Sequence, residues 1–246
     1  MFDSYTDIFE KRGKSYHNAM LDCPKARDEE FFHLFDHIEI KESDVVADIP
    51  SGGCYLKNYV NNDNIYFIDS TKEFLNNCTC KYNIIHSDVE DTPFKHSFFD
   101  IVFSLAGTHH IDNKEKLYKE IYRILNNNGK FIYADVKRGS KEDAFLNTFV
   151  NENNSLGHRG VFIDKNTNIE LENINLEVQY SEYIEYTWNF KDINEMVYFV
   201  KNLFGIDLAS DEIILEGLRD ILGFKEENGL IKLNWGLLYI VSKKII

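Results

Sequence analysis

The stretch VVADIPSGGCYL, residues 45–56, decides the fold. An apolar run closes on Asp48, a turn carries Pro50 and the pair Gly52 and Gly53, and a new apolar pattern begins at Tyr55. A short apolar run that breaks into a glycine turn and then into helical patterning is the first half of a βαβ unit. In an open parallel sheet built from such units, ligands lie beyond the carboxyl ends of the strands. Gly52 and Gly53 bare the backbone at that place, and the first amides of a following helix would face the ligand.

The same alternation continues downstream. NIYFID leads into TKEFLNN, YNIIHSD follows, FDIVFSLA precedes KEKLYKEIYRIL, and KFIYADV closes the series at Asp135. Five strands alternating with helices predict a parallel sheet. Ser70 and Glu73 have capping-box spacing. Asp112 is placed to cap the helix that buries Leu117, Ile121, Ile124 and Leu125, and Gly129 to stop it. Upstream, YTDIFEKRGKSYHNAML and ARDEEFFHLFDHI read as helices, with Phe31, Phe32, Phe35 and Ile38 approximating one face of the second.

Beyond Asp135 the pattern changes. A helical stretch, KEDAFLNTFVNENNSL, runs into the polar turn GHRG at 157–160 and then into the aromatic extended segment VQYSEYIEYTWNF. Two helical patterns, INEMVYFVKNLFG and DEIILEGLRDILG, precede LIKLNWGLLYIVSKK, a terminal strand or hairpin. Three prolines, no internal repeat and no Gly/Ser linker argue for one domain over 1–246. Within it we expect an N-terminal helical cap (1–42), a ligand-binding core (43–136), a substrate-covering insertion (137–225) and the terminal strand or hairpin (226–246).

Composition excludes some functions. With 27 Lys and Arg against 41 Asp and Glu, the formal charge of −14 repels polyanions, and the densest basic stretch, VKRGSK at 136–141, is short. Nucleic acid and anionic membrane are therefore not expected partners. No run of about 18 apolar residues is present to span a bilayer. Cys23, Cys54, Cys78 and Cys80 follow no secretory segment, which predicts a reduced, cytoplasmic protein. The C-x-C at 78–80 lacks a second pair, so no metal is expected.

Two more acids mark the ligand. Asp69 closes the second strand 21 residues after Asp48, where it would accept hydrogen bonds from both ribose hydroxyls. Asp88, just past the third strand, is placed to meet an adenine amino group. Together they describe a dinucleotide or an S-adenosyl ligand. A dinucleotide loop wants G-x-G-x-x-G, but Pro50 has no N–H and no glycine follows Gly53 until Gly107.

The succession VVADIPSGG, YFIDST, HSDVEDTPF, FDIVFSLAGTHHI and KLYKEIYRILNNNGKFIYADV resembles the class I S-adenosylmethionine-dependent methyltransferases over about residues 44–136. The family's D-x-V-x-S is matched by Asp100–Ser104 and its R-x-L-x-x-x-G-x by Arg123–Lys130. The resemblance implies a Rossmann-like, mainly parallel seven-stranded sheet with helices on both faces, and S-adenosyl-L-methionine as cofactor. By position, Asp48, Pro50, Gly52 and Gly53 would line the methionine moiety, Asp69 with Ser70 the ribose, and Asp88 with Val89 the adenine, with Ser104 also in the cofactor site. The family's usual first loop, D-x-G-x-G-x-G, is altered here by Pro50 and Cys54 at its first and third glycines.

The reaction implied is in-line methyl transfer to an oxygen, nitrogen or sulfur of a small molecule, releasing S-adenosylhomocysteine. Such chemistry needs positioning and exclusion of water more than a catalytic triad. His110 and His109, after the fourth strand, are candidates for a base or an orienting group. Tyr16, on the N-terminal helix, would meet the methionine carboxylate or face the sulfonium. His17, and His158 with Arg159 in the GHRG turn, are candidates for holding the acceptor. Two alternatives stay open: an S-adenosylmethionine-binding protein that cyclises, cleaves or senses its ligand, and an NAD(P)-dependent oxidoreductase. Monomer and homodimer are equally compatible with the sequence.

Overall fold

The computed structural model describes residues 5–76, 78 and 83–246. The short apolar runs form the parallel half of one sheet: β1 (Val46–Asp48), β2 (Ile65–Asp69), β3 (Ile84–His86), β4 (Phe99–Leu105) and β5 (Leu125–Asp135). Their order is β3-β2-β1-β4-β5, with every neighbouring pair parallel. The order reverses between β1 and β4. A crevice therefore opens at the carboxyl ends of these two strands, and the glycine turn and the His109 turn both lie there.

The rest of the sheet is antiparallel. β6 (Leu176–Phe190), β7 (Phe224–Glu227) and β8 (Leu230–Lys244) complete it, with β8 between β5 and β6, and β7 folded back on β8. The seven strands in sequence along the sheet, with the short β7 beside them, agree with the Rossmann-like architecture expected from the sequence. A strand paired on both sides and covered on both faces must be apolar; Leu237, Leu238, Tyr239, Ile240 and Val241 of β8 are all buried.

Alternation along the strands feeds two cores. Phe67 and Phe103 face one of them, with Trp188, Trp235 and Leu237; Ile68 and Val102 face the other, with Leu117, Ile121 and Ile124. The helices are α1 (Tyr5–Asp22), α2 (Asp28–Phe32), α3 (Lys72–Asn76), α4 (Glu115–Ile124), α5 (Lys141–Ala144), α6 (Asn151–Asn153), α7 (Lys165–Glu172), α8 (Ile193–Phe204) and α9 (Asp211–Gly217). A π-helical stretch (Phe145–Val150) joins α5 to α6. α1 lies beside α8, tied by Arg12 Nη2 donating to the Leu203 carbonyl (3.3 Å) and by the Tyr198 hydroxyl donating to Asp22 (2.6 Å).

Several local expectations are corrected. The element after the glycine turn is a single 3₁₀ turn (Tyr55–Asn58), not a helix, so it offers no helix N-terminus to a ligand. α2 ends at Phe32; Phe31 is buried while Phe32 is 56 % exposed, so the four aliphatic and aromatic positions do not share one face. At α4 the side chain of Asn113, not Asp112, accepts from the Glu115 amide (3.0 Å). Gly129 lies inside β5 rather than at a helix stop, and a Cβ there would sit 2.9 Å from the Asn126 carbonyl oxygen. The cysteines are not all thiols: Cys54 and Cys78 form a disulfide, and Cys23 is free and buried. Cys80, the other half of the C-x-C, is outside the described residues.

Within the segment 137–225, β6 is an integral strand of the sheet, and the stretches around it pack over the carboxyl-end crevice or along the sheet's faces. Because Phe103 is fully buried in the central strand, Phe103→Ala should cost about 3–5 kcal/mol. Urea unfolding followed by circular dichroism checks it; a loss under 1 kcal/mol would contradict the packing described.

Candidate functional site

Two adjoining cavities occupy the crevice. The first is bounded by Asp48, Ser51, Gly52, Tyr55, Phe74 and Gly107 among others. The second is bounded by His109, His110, His158, Trp188, Phe204 and Trp235 among others. Phe9, Tyr16, Arg27 and Ala106 border both, so ligands in the two cavities would share one wall.

The first cavity is shaped by the turn after β1. The Ser51 amide donates to the Ile68 carbonyl (2.9 Å), and the Gly52 amide to Asp69 Oδ2 (2.8 Å); Asp69 Oδ1 takes the Thr71 amide (2.8 Å). The two glycines have different tasks. Gly52 has φ +53°, and a Cβ there would meet nothing within 4 Å, so its open side borders the cavity. Gly53 instead admits the Tyr55 ring, 2.5 Å from where its Cβ would be. Pro50 packs against Gly107, whose absent Cβ would fall 2.6 Å from Pro50 Cγ.

Asp48 borders this cavity and is only 5 % exposed. Burial, and then the neighbouring Asp69 charge, push its carboxyl well above the usual carboxylate range. No hydrogen-bond donor serves the Asp48 carboxylate among the described residues. Ser51 Oγ is likewise buried without a partner.

The wall between the cavities is charged. Arg27 is buried; its Nε donates to Glu30 Oε2 (3.2 Å), its Nη2 to Glu30 Oε1, and its Nη1 to the Tyr16 hydroxyl (2.7 Å). Glu30 also accepts from Trp188 Nε1 (2.8 Å). His17 stands behind this wall, hydrogen-bonded through Nδ1 to the Tyr55 hydroxyl (2.9 Å).

The second cavity has an aromatic side and a histidine side. Trp188 and Trp235 stack with centroids 4.2 Å apart and planes at 24°, and Phe204 stacks on Trp235 at 5.8 Å. On the other side, the 3₁₀ turn Thr108–His110 follows β4. His109 Nδ1 meets Asp135 Oδ1 at 2.8 Å, at the end of β5. Burial opposes charge on Asp135, but His109 and the Val136 amide prevail and hold its carboxyl below the usual range. As an anion it accepts the Nδ1 proton of His109. The polar turn brings a third ring: Val161 N donates to the His109 carbonyl (2.7 Å), His158 N to Asn151 Oδ1 (2.9 Å) and Gly160 N to Asn147 Oδ1 (2.6 Å). Burial first, and neighbouring histidines second, push His110 and His158 well below the ordinary imidazole value, so both are neutral near pH 7.

The structure thus brings together Tyr16, Asp48, Pro50, Gly52, His109, His110 and His158 around one double cavity. It places the others differently. Asp69 is fully buried behind the turn and holds Gly52, rather than facing the cavity. Asp88 is exposed and accepts from the Glu90 amide (2.9 Å), Val89 belongs to the core on the far face of the sheet, and Ser104 is buried within β4. Ser70 is half-buried with its carbonyl accepting from His86 Nε2 (3.0 Å), Gly53 packs on Tyr55, and Arg159 is exposed. Sequence reasoning missed Arg27, Tyr55, Asp135 and Trp235 as site residues, and it read Trp188 as a strand residue at the pocket's border without choosing it. Asp135 carried a usable signal, since it ends an apolar run just as Asp48 and Asp69 do; Arg27, in CPKARDEE, carried none.

Residues 48–133 match the family model described as a methyltransferase domain. A sterol 4-C-methyltransferase of Caenorhabditis elegans, strm-1, is 36 % identical over 64 residues, which cover 26 % of this chain and 19 % of that protein. YcgJ of Bacillus subtilis, an uncharacterized methyltransferase, is 34 % identical over 67 residues, covering 27 % of this chain and 26 % of that one. The matched stretches thus span about a fifth to a quarter of these curated relatives. The crystal structure of YcgJ superposes with a TM-score of 0.62 over 89 % of this chain and 99 % of that one, at 18 % identity. That of the [4+2]-cyclase SpnF gives 0.69 over 100 % and 98 %, at 10 % identity. Residues 48–133 thus match a methyltransferase domain, and the solved neighbours share the Rossmann-like fold of the chain. No helix among the described residues is long and apolar enough to cross a membrane.

The raised Asp48 carboxyl has a consequence for stability. A folded-state pKa above the unfolded value of about 3.8 means that the folded chain holds the proton more tightly, so this group's contribution is favourable at low pH and lost as pH rises through the folded value. At pH 7, Asp48→Asn should therefore raise Tm, by about 2–4 °C for each kcal/mol of relieved burial in a chain of this size, and the gain should shrink on acidification. Thermal melts of both proteins at pH 7 and pH 5 check it; a lower Tm at pH 7 contradicts the assignment.

Proposed function

We propose that the chain transfers a methyl group from S-adenosylmethionine to a small molecule, with the methionine end of the cofactor in the first cavity and the acceptor in the second. The observation that carries the reading is the shared wall: Tyr16, Arg27 and Ala106 border both cavities, which sets a donor and an acceptor side by side. The cofactor, when bound, supplies a methyl group on a sulfonium, and its departure leaves S-adenosylhomocysteine.

The first cavity suits the methionine end. The open side of Gly52 lets a ligand approach the backbone, Ser51 Oγ has hydrogen-bonding capacity to spare, and Asp48 offers a carboxylate to an ammonium group. The Arg27 guanidinium stands by as the countercharge for a carboxylate. Phe9 and Tyr16 present aromatic rings to the junction, where a sulfonium is attracted by a π face. Asp69 serves by fixing the Gly52 amide.

The second cavity selects the acceptor. Trp188, Phe204 and Trp235 favour a flat apolar body, and the histidine side receives its nucleophilic atom. Enclosure between α1, α8 and the sheet excludes water, so that the positioned nucleophile meets the methyl carbon. The −14 charge disfavours a polyanionic acceptor.

Calorimetric titration with S-adenosylmethionine and S-adenosylhomocysteine, with NAD(P)H as control, tests the cofactor. Both adenosyl ligands should bind, and Gly52→Ala should weaken them by tenfold or more, because its methyl fills the open side; strain at positive φ costs only about 1–2 kcal/mol of stability. Binding to neither ligand by a folded protein, or equal affinity in the variant, would refute the proposed placement.

A further inference from the structure

We infer that His109, His110 and His158 form a binding site for a single divalent transition-metal ion of the zinc class, at the histidine side of the second cavity. One nitrogen from each ring lies within 4.8 Å of those of the other two, and this is the cluster among the described residues that pairs such spacing with a cavity wall. The ring centroids are 4.3, 5.3 and 5.6 Å apart. A tetrahedral ion with Zn–N bonds of about 2.0–2.1 Å requires nitrogens about 3.3 Å apart, so side-chain rotation closes the rings around it.

Three further features belong to a metal site rather than to a packed aromatic cluster. Asp135 accepts from His109 Nδ1 at 2.8 Å and is itself fixed by Thr108 Oγ1 (2.9 Å) and the Val136 amide (2.8 Å), the carboxylate–histidine support that orients metal ligands. His158 is 6 % exposed, and its Nδ1 is buried without a hydrogen-bond partner. An apolar cluster would not be expected to leave that atom unserved. Finally, a donor set of three imidazoles, with no thiolate or carboxylate in it, suits zinc, cobalt, nickel or copper over magnesium or calcium.

Three protein ligands would leave a fourth position free, and the cavity that these histidines line also holds Trp188 and Trp235. What fills it rests on the methyl-transfer reading above: a hydroxyl or thiol of the acceptor. Coordination would lower the pKa of such a group, so that its proton would pass to water and the resulting oxyanion or thiolate would attack the methyl carbon. The new bond forms as the carbon–sulfur bond breaks, and that electron pair stays on the sulfur of the cofactor. The histidines then act on the acceptor through the ion and not as free bases.

Metal binding is tested without turnover. The full-length protein, stripped with chelator, is titrated with zinc by calorimetry and with cobalt(II) by visible absorption. One ion per chain is expected, with the intense absorption of low-coordinate cobalt. His158→Gln and His109→Gln should each abolish stoichiometric binding, and Asp135→Asn should weaken it about 10–100-fold, with circular dichroism confirming that each variant is folded. Weak octahedral cobalt absorption, or stoichiometric binding that survives both histidine variants, would overturn the site. S-adenosylmethionine affinity of the stripped protein separates the two readings: retained cofactor binding without metal binding refutes only the site, and metal binding without cofactor binding supports the site while refuting the cofactor.

Discussion

The carboxylate of Asp69 holds the crevice open. It accepts the Gly52 and Thr71 amides at once, so the turn after β1 and the turn after β2 are fixed to one buried anion. It works with the Ser51–Ile68 backbone bond and the Cys54–Cys78 disulfide to define a turn that holds Gly52 and Cys54 left-handed. Charge-assisted hydrogen bonds from backbone amides are strong and directional.

Three strands of this sheet end in a buried acid, and each is neutralised differently. Asp69 is served by amides, Asp135 by a histidine and an amide, and Asp48 by neither. An acid with its hydrogen bonds complete is part of the scaffold. One that is buried beside another acid, with no donor, is held at a cost in stability, and such costs persist where a ligand repays them. Position at a strand end therefore nominates all three acids, while their hydrogen bonds separate the structural pair from the one that borders the first cavity.

The alternation of strands and helices up to Asp135 was legible because each βα unit has its own local period and its own punctuation. The placing of the site residues was less so. His109 and His110 follow β4 directly, but His158 joins them through long-range bonds such as that from Val161 N to the His109 carbonyl, a contact across 52 residues that no local period encodes. Asp69 was read as a ligand-facing acid because strand ends face the crevice. Its rotation toward Gly52 depends on the neighbouring turn, which spacing does not report. Asp88 likewise satisfies the Glu90 amide two residues on, as short acidic side chains in turns do.

Arg27 connects the two halves of the site. Its guanidinium reaches Tyr16, whose ring borders both cavities, and pairs with Glu30, which holds the indole of Trp188 on the far side. A buried ion pair of this kind contributes little net stability, but losing one partner costs about 3–5 kcal/mol, because the other charge is stranded. A ligand carboxylate that approached Arg27 would add to an arrangement already satisfied by Glu30, and so could gain affinity without moving the tryptophan. On the methyl-transfer reading proposed above, that property would let one cavity be filled while the shape of the other is kept.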